Sequence, residues 1–351
     1  MKNLLFTSAV LCLIVAASIG VVKNARAQQA GSTQSSQSTE SQSLNYRISG
    51  PYTHKNLTVF LVHGKDLLKD HSFLTLQEAL AQKKVIVYET KDVNELAIRN
   101  LSNQDIYVQS GDIVRGGDQD RMISTDFIVP PKSGRMPIAA FCVESGRWSR
   151  RGNEGNASFA SSENSASTRE LKLAAKRSNS QQEVWDNVSV TQAKLSKNVG
   201  GTVSETVSVS SLELSVDNLK VKETTAAYIN ALSGIVQNKN DIIGYAFAIN
   251  GQVNSADVYA SRALFVKLWP KLLKASAVEA IAELDENSKP VALEQNAVTA
   301  FLGDSEKPSP VEKEVTQRVK LVTREGDRGI FFETRDRQKN DAWIHRNYIR
   351  K

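Results

Sequence analysis

Between Tyr107 and Arg150 the chain reads "YVQSGDIVRGGDQDRMISTDFIVPPKSGRMPIAAFCVESGRWSR", and seven side chains in it have the chemistry of a polar site: Asp112, Gln119, Asp120, Arg121, Glu144, Arg147 and Trp148. Arginine forks grip carboxylates or phosphates through two parallel hydrogen bonds. Tryptophan offers a flat apolar face to a sugar ring or a base. A carboxyl group close to an arginine can trade protons, which makes Glu144 and Asp120 the candidate acid and base of a hydrolytic reaction. Short apolar runs alternate with these residues, so they fall at strand ends and turns, where a rigid scaffold presents functional groups. A second reading of the same residues is an internal ion-pair network that ties two hairpins together, and composition alone does not separate the two.

Other chemistries find little support. The chain has no G-x-S-x-G elbow, no phosphate-binding glycine loop, no dinucleotide fingerprint and no H-E-x-x-H pair, so no cofactor is expected. His54, His63, His71 and His345 lack metal-ligand spacing, so no metal is expected. The acidic run "DQDRMISTD" departs from the calcium-loop pattern where Met122 replaces an oxygen ligand and Ile123 replaces the glycine. Cys142, flanked by Phe141 and Val143 on a predicted strand, reads as a buried and inert thiol. The sequons at Asn56, Asn100, Asn156 and Asn187 matter only in a host that glycosylates.

The N-terminus bears on where this chemistry takes place. Lys2, an apolar run from Leu4 to Val22 and the ending "ARA" at Ala25–Ala27 form the three-part pattern of a secretory signal, so residues 1–27 are set apart from the fold. A retained membrane anchor is the alternative, but Ser8, Ser18 and Gly20 dilute the apolar run. The expectation is an exported protein, periplasmic or secreted, that meets the membrane only through this segment. Removing Lys2, Lys23 and Arg26, with no acid lost, lowers the formal net charge from +6 to +3. So mild a charge, in an exported chain, argues against a nucleic-acid partner. The expected partner is a polar small molecule or an envelope polymer. With Cys12 gone, Cys142 stands alone, so no intrachain disulfide can brace the fold.

The elements that must position the candidate site predict an α+β protein, β-rich, with hairpins or sandwich-like sheets, a few amphipathic helices and a C-terminal β meander. Residues 28–44 read as a disordered spacer, 45–283 as the main domain, 284–313 as a linker or long surface loop, and 314–351 as a meander packing on the main domain. "LTVFLV" and "VIVYET" are strands, with the helix "SFLTLQEALAQKK" between them capped by Ser72. "ELAIRNLSNQDIYVQSG" reads as a hairpin hinged at "NLSNQ", and residues 149–166 as a polar loop. "STRELKLAAKR", capped by Ser167 or Thr168, runs on into "QEVWDNVS" as one helix. Asn250-Gly251 joins two strands, and a long helix follows with Leu264, Phe265, Leu268, Trp269, Leu272 and Leu273 on its core face and a kink at Pro270.

"SGDIVRGGDQDRMISTDFIVPPKSGRMPIAAFCVESGRW" resembles the defining segment of the ARG and rhodanese-phosphatase-superfamily-associated protein domain. "FLTLQEALAQKKVIVYE" and "IIGYAFAINGQVNSADVYASRALFVKLWPKLLKASAVEAI" are similar to two further parts of that family, so the resemblance spans roughly residues 57–283. The resemblance implies association with ADP-ribosylglycohydrolase-type proteins rather than an established activity. It points to Gln119, Arg121, Glu144, Arg147 and Trp148 as site positions. Asp118 stands where relatives often carry lysine, and an exported chain sits apart from largely cytoplasmic NAD-derived chemistry; both weaken an ADP-ribose reading.

Exported material is expected to begin at or near Gln28. Intact mass or N-terminal sequencing checks this, and retention of Met1–Ala27 contradicts it.

Overall fold

The fold is described from a computed structural model covering residues 46–149, 151, 159–285, 287 and 292–351. The signal and spacer segments expected at the N-terminus lie outside the described residues. In chain order the elements are β1 (Arg47–His54), β2 (Leu57–His63), β3 (Leu74–Thr75), α1 (Leu76–Ala81), β4 (Val85–Glu89), β5 (Glu95–Asn100), β6 (Ile106–Val108), β7 (Asp112–Gly116), β8 (Arg121–Ile123), β9 (Phe127–Val129), β10 (Met136–Cys142) and β11 (Phe159–Ser165). They continue with α2 (Arg169–Leu173), α3 (Gln181–Asn198), α4 (Leu212–Asp217), α5 (Leu219–Leu232), β12 (Ile242–Ile249), β13 (Gln252–Tyr259), α6 (Arg262–Ala282), α7 (Gln295–Glu306), β14 (Pro310–Glu314), β15 (Val319–Glu325), β16 (Gly329–Asp336) and β17 (Ala342–Arg350). This is the α+β, β-rich architecture expected, with β15, β16 and β17 as the C-terminal meander.

Three sheets carry it. The largest has eight strands in the order β1-β2-β12-β13-β17-β16-β15-β14. A six-stranded sheet runs β11-β7-β8-β10-β5-β4, and a small one runs β3-β6-β9. Strand β2 is buried along its whole length because successive side chains enter different cores. Leu57, Val59 and Leu61 point into the main core, where α6 packs on β12 and against α3 and α5. Phe60 and Val62 point the other way, into a smaller core closed by Val298 and Leu302 of α7. The β12–β13 contact requires glycine at 244, where a Cβ would lie 2.3 Å from the Asp257 carbonyl oxygen.

Several local expectations are corrected. β5 and β6 do not form a hairpin: β5 pairs with β4 and β10, whereas β6 pairs with β3 and β9. The Asn100 side chain donates to the carbonyls of Gln104 and Val129, so the "NLSNQ" turn carries the chain from one sheet to another. The first helix is capped by Thr75 with Glu78 in a reciprocal capping box, not by Ser72, because Leu74–Thr75 is strand. Within 149–166, residues Phe159–Ser165 form β11. Thr168 does cap α2, but a π turn over Ala174–Ser178 and a left-handed Asn179 separate it from α3, which has its own cap, Ser180. The 284–313 segment contains α7 and β14 rather than only linker. Pro270 sits inside α6, and the six predicted core residues of that helix are buried.

Two buried ionic clamps fasten the small sheet to the large one. Arg318 reaches both Asp105, at 2.5 Å, and Asp336 of β16, at 2.7 Å. His345 of β17 lies between Asp126 and Asp257, its Nδ1 2.7 Å from Asp126 Oδ2 and its Nε2 3.0 Å from Asp257 Oδ1. Burial alone disfavours the imidazolium, but the Asp126 and Asp257 carboxylates outweigh it and raise the His345 pKa above the ordinary 6.5. Burial likewise works against the Asp126 carboxylate, yet Lys176 and His345 hold its pKa below the ordinary 3.8.

A raised histidine contributes stability that is complete below its ordinary value and is lost as pH rises through the raised one. A depressed aspartate contributes above its ordinary value and loses that contribution as pH falls. The clamp is therefore strongest between the ordinary values of 3.8 and 6.5 and weakens on the alkaline side. His345→Gln is expected to flatten the alkaline decline of the urea midpoint relative to wild type; parallel pH profiles for the two proteins contradict the assignment.

Candidate functional site

The β7–β8 turn runs Gly116-Gly117-Asp118-Gln119-Asp120. Gly117 adopts φ +57°, and a Cβ there would lie 2.6 Å from Phe159 and 2.7 Å from Glu89, so any other residue would strain the turn and displace these two side chains. Closure turns the Asp120 side chain inward, where its Oδ1 accepts from the Gly116 amide at 3.1 Å. The following strand, β8, pairs with β10, and past the end of β10 Glu144 is buried beside the same turn. Gln119 Nε2 donates to the Glu144 carbonyl at 2.9 Å, and the Asp120 amide donates to Glu144 Oε2 at 3.3 Å. Ser145-Gly146 then reverses the chain and brings Arg147 back over Glu144.

The result is a closed square of two carboxylates and two guanidiniums. Arg147 Nε lies 2.8 Å from Glu144 Oε2, and its Nη2 lies 3.4 Å from Asp120 Oδ1. Arg151 Nη2 lies 3.1 Å from Asp120 Oδ2, and its Nη1 lies 3.4 Å from Glu144 Oε1. Arg147 Nη1 also donates to the carbonyls of Gly117 and Ser149, and Arg151 Nη1 to the hydroxyl of Ser211, the cap of α4. Asp120 and Glu144 are both 0 % exposed. Desolvation pushes the Asp120 carboxyl up to about 6, against the pull of Arg151.

Above this square the surface opens into a groove of about 430 Å³ lined by Gly146, Arg147, Trp148, Ser149, Arg151 and residues 206–210. Trp148 is 58 % exposed, and Val207 and Val209 are each 64 % exposed. The 206–210 segment is held by the Gly146 amide donating to Ser210 Oγ at 3.0 Å and by the Leu212 amide donating to the Val143 carbonyl at 3.2 Å.

Of the seven residues singled out from the sequence, the fold brings five together: Gln119, Asp120, Glu144 and Arg147 in the buried square and its support, and Trp148 at the groove. Arg121 points away from them, as strand alternation requires. Its guanidinium donates to the carbonyls of Asp92 and Val93 and lies 3.3 Å from Glu89. Asp112 stands at the other end of β7, paired with Lys271 of α6 at 2.7 Å. Glu144 and Arg121 are thus both buried rather than lining an open cleft. Cys142 is buried too, its thiol pushed up to about 11 by desolvation.

Sequence reasoning missed Arg151, which follows the motif directly in the chain, and Ser211 and the 206–210 segment, which meet it only in space. It also missed the Asp126–His345–Asp257 cluster, which borders an enclosed polar pocket of about 30 Å³ with Lys172, Lys176 and Asn347. A lone histidine in a basic tail gave no signal of it. Among the described residues, no three His, Cys, Asp or Glu side chains are placed to hold a metal, and no helix is long and apolar enough to cross a membrane.

The sequence model of the ARG and Rhodanese-Phosphatase-superfamily-associated Protein domain matches residues 45–349, so the chain belongs to that family. No curated protein and no solved structure matches it significantly.

Removing one carboxylate from the square leaves two buried guanidiniums sharing the other. Glu144→Ala is therefore expected to cost about 3 to 5 kcal/mol in denaturant unfolding. Trp148→Ala, at an exposed position, should stay within about 0.5 kcal/mol of wild type in the same assay. Equal midpoints for Glu144→Ala and wild type would show that the square carries no structural weight.

Proposed function

We propose that this member of the ARG and rhodanese-phosphatase-superfamily-associated protein domain family is an extracytoplasmic binding protein whose Trp148 groove takes an uncharged polar ligand of the saccharide class. The observation that carries this reading is a largely exposed tryptophan set in a groove of about 430 Å³, within the size range of small-molecule sites. A sugar ring has an apolar face for the indole and hydroxyls for its surroundings. Thr206, Ser208, Ser210 and Ser149 supply donors and acceptors around the rim.

Charge decides between saccharide and nucleotide. Arg147 and Arg151 line the groove, but each guanidinium is already committed to Asp120 and Glu144, so the floor is neutral as a unit. A phosphate would have to break a buried ion pair to gain a fork, whereas a hydroxyl need not. The same burial favours binding over hydrolysis. Asp120, with its carboxyl pushed up to about 6, is the candidate acid in a hydrolytic version, yet neither it nor Glu144 has exposed surface from which to reach a substrate. The export pattern at residues 1–27 supports an envelope or extracellular location, where such ligands are found as free sugars or polymers.

The test is a binding screen of mono- and oligosaccharides, envelope polysaccharides, nucleotides and ADP-ribose against wild type and Trp148→Ala. Saccharide binding that weakens about tenfold in Trp148→Ala, the scale of a lost aromatic contact, is the expected result. Nucleotide-selective binding, or saccharide binding indifferent to Trp148, overturns it.

A further inference from the structure

Away from the groove, three side chains from adjacent strands of the eight-stranded sheet meet at its β1 edge. Ser49 Oγ of β1 lies 2.6 Å from His63 Nε2 at the end of β2. His63 Nδ1 lies 2.8 Å from Oδ1 of Asp241, the residue preceding β12. Hydroxyl, imidazole and carboxylate follow one another in hydrogen-bond contact, which is the geometric signature of an activated serine whatever the order of the residues in the chain.

The backbone around these groups holds the arrangement. His63 pairs with Arg47 on one side and Ile242 on the other, and the Gly64 amide donates to the Asp241 carbonyl at 2.9 Å. The pairing of β1 with β2 slips between Ser49 and Tyr52, and such bulges re-aim the neighbouring side chain. Gly50, within the slip, has φ +115°, and a Cβ there would lie 3.0 Å from the Val59 carbonyl oxygen. His63 is 5 % exposed, Ser49 is partly exposed, and the Asp241 side chain is 53 % exposed. The imidazole is thus sheltered behind a hydroxyl that solvent can reach.

The tautomer decides whether the serine can be activated. Nδ1 also lies 2.9 Å from Arg47 Nη2, which in turn lies 2.8 Å from Asp241 Oδ2. If Nδ1 were bare and accepting from Arg47, its lone pair would face the Asp241 carboxylate. With the proton on Nδ1 donated to Asp241, Arg47 serves the second carboxylate oxygen, and Nε2 is left to accept from Ser49. The second arrangement gives up the Arg47–Nδ1 hydrogen bond but keeps Arg47 on Asp241 and removes the clash of lone pair and carboxylate, and it is the one that catalysis requires.

We propose that Ser49, His63 and Asp241 form a serine-nucleophile site acting on carboxylic esters presented from solvent. Ser49 Oγ adds to the ester carbonyl as its proton passes to His63 Nε2. The bond to the leaving oxygen then breaks, and the alcohol departs with that proton, leaving an acyl-Ser49. Water attacks the acyl group, its proton goes to His63, and the acid leaves as Ser49 recovers its hydroxyl proton. Asp241 stabilises the imidazolium present in each half. Esters suit an open strand edge better than amides, because an alkoxide leaves with less help from a general acid than an amine does.

The test treats the folded, full-length chain with a fluorophosphonate probe, maps the modified peptide by mass spectrometry and follows hydrolysis of p-nitrophenyl acetate. Label on Ser49, lost in Ser49→Ala, is expected, with ester turnover falling in parallel. Asp241→Asn, at a half-exposed position that tolerates change, should slow labelling on the order of a hundredfold or more while leaving the thermal midpoint near wild type. Lys313→Ala, exposed on β14 at the opposite edge of the same sheet, should label at the wild-type rate. Folded wild-type protein that stays unlabelled at Ser49, or Asp241→Asn that labels at the wild-type rate, overturns the proposal.

Discussion

Two arginines and two carboxylates withdrawn from water together set the terms for one whole end of the six-stranded sheet. Any one of Asp120, Glu144, Arg147 or Arg151 buried alone would carry a penalty of several kcal/mol. Closed into an alternating square, with the Gly116 and Asp120 amides and the Ser211 hydroxyl meeting further oxygens and nitrogens, the four satisfy one another. The square forms only when the β7–β8 turn, the end of β10 and Arg151 arrive together. Local conformation is thereby made hostage to tertiary contact: Gly117 must take a left-handed turn and Ser145-Gly146 must reverse the chain, or a charge is stranded.

What lies above the square follows from it. Because Arg147 turns inward to Glu144, the next residue, Trp148, is carried outward with its ring in solvent. Because Ser211 both caps α4 and accepts from Arg151, the 206–210 segment ahead of it is brought across from the tryptophan. The groove thus has a floor of mutually paired charges.

The same device recurs where the small sheet meets the large one. Asp105–Arg318–Asp336 and Asp126–His345–Asp257 each set one basic side chain between two carboxylates supplied by different sheets. In a chain whose described cysteine is single and buried, such clamps do the work that disulfides do in many exported proteins. Apolar contacts tolerate sliding, whereas a forked hydrogen bond to a fixed carboxylate does not, so the clamps specify one register between sheets that the apolar core would hold less strictly.

Much of this protein was legible in one dimension. Alternation and turn chemistry gave β2, β4, β10, the Asn250-Gly251 hairpin and the C-terminal meander, and the spacing from Leu264 to Leu273 gave the buried face of α6, because these patterns answer to a local period. The motif from Gln119 to Trp148 was readable because its two halves are rich in unlike charges within short reach. Pairing was not readable. The turn after Asn100 looked like a hairpin hinge, but side-chain bonds to Gln104 and Val129 send β6 to another sheet. Ser211 joins Arg151 from across the fold, Arg151 itself follows Glu144 by only seven residues, and Ser49, His63 and Asp241 are neighbours only because β1, β2 and β12 are. The sequence by itself determined many of the elements, though not β11, α7 or β14, together with the family and which residues could carry charge or stack. Only the tertiary structure decided which charges neutralise one another, which stay in solvent and which distant side chains share a site, because those outcomes depend on sheet order and burial, and neither has a period that a chain can display.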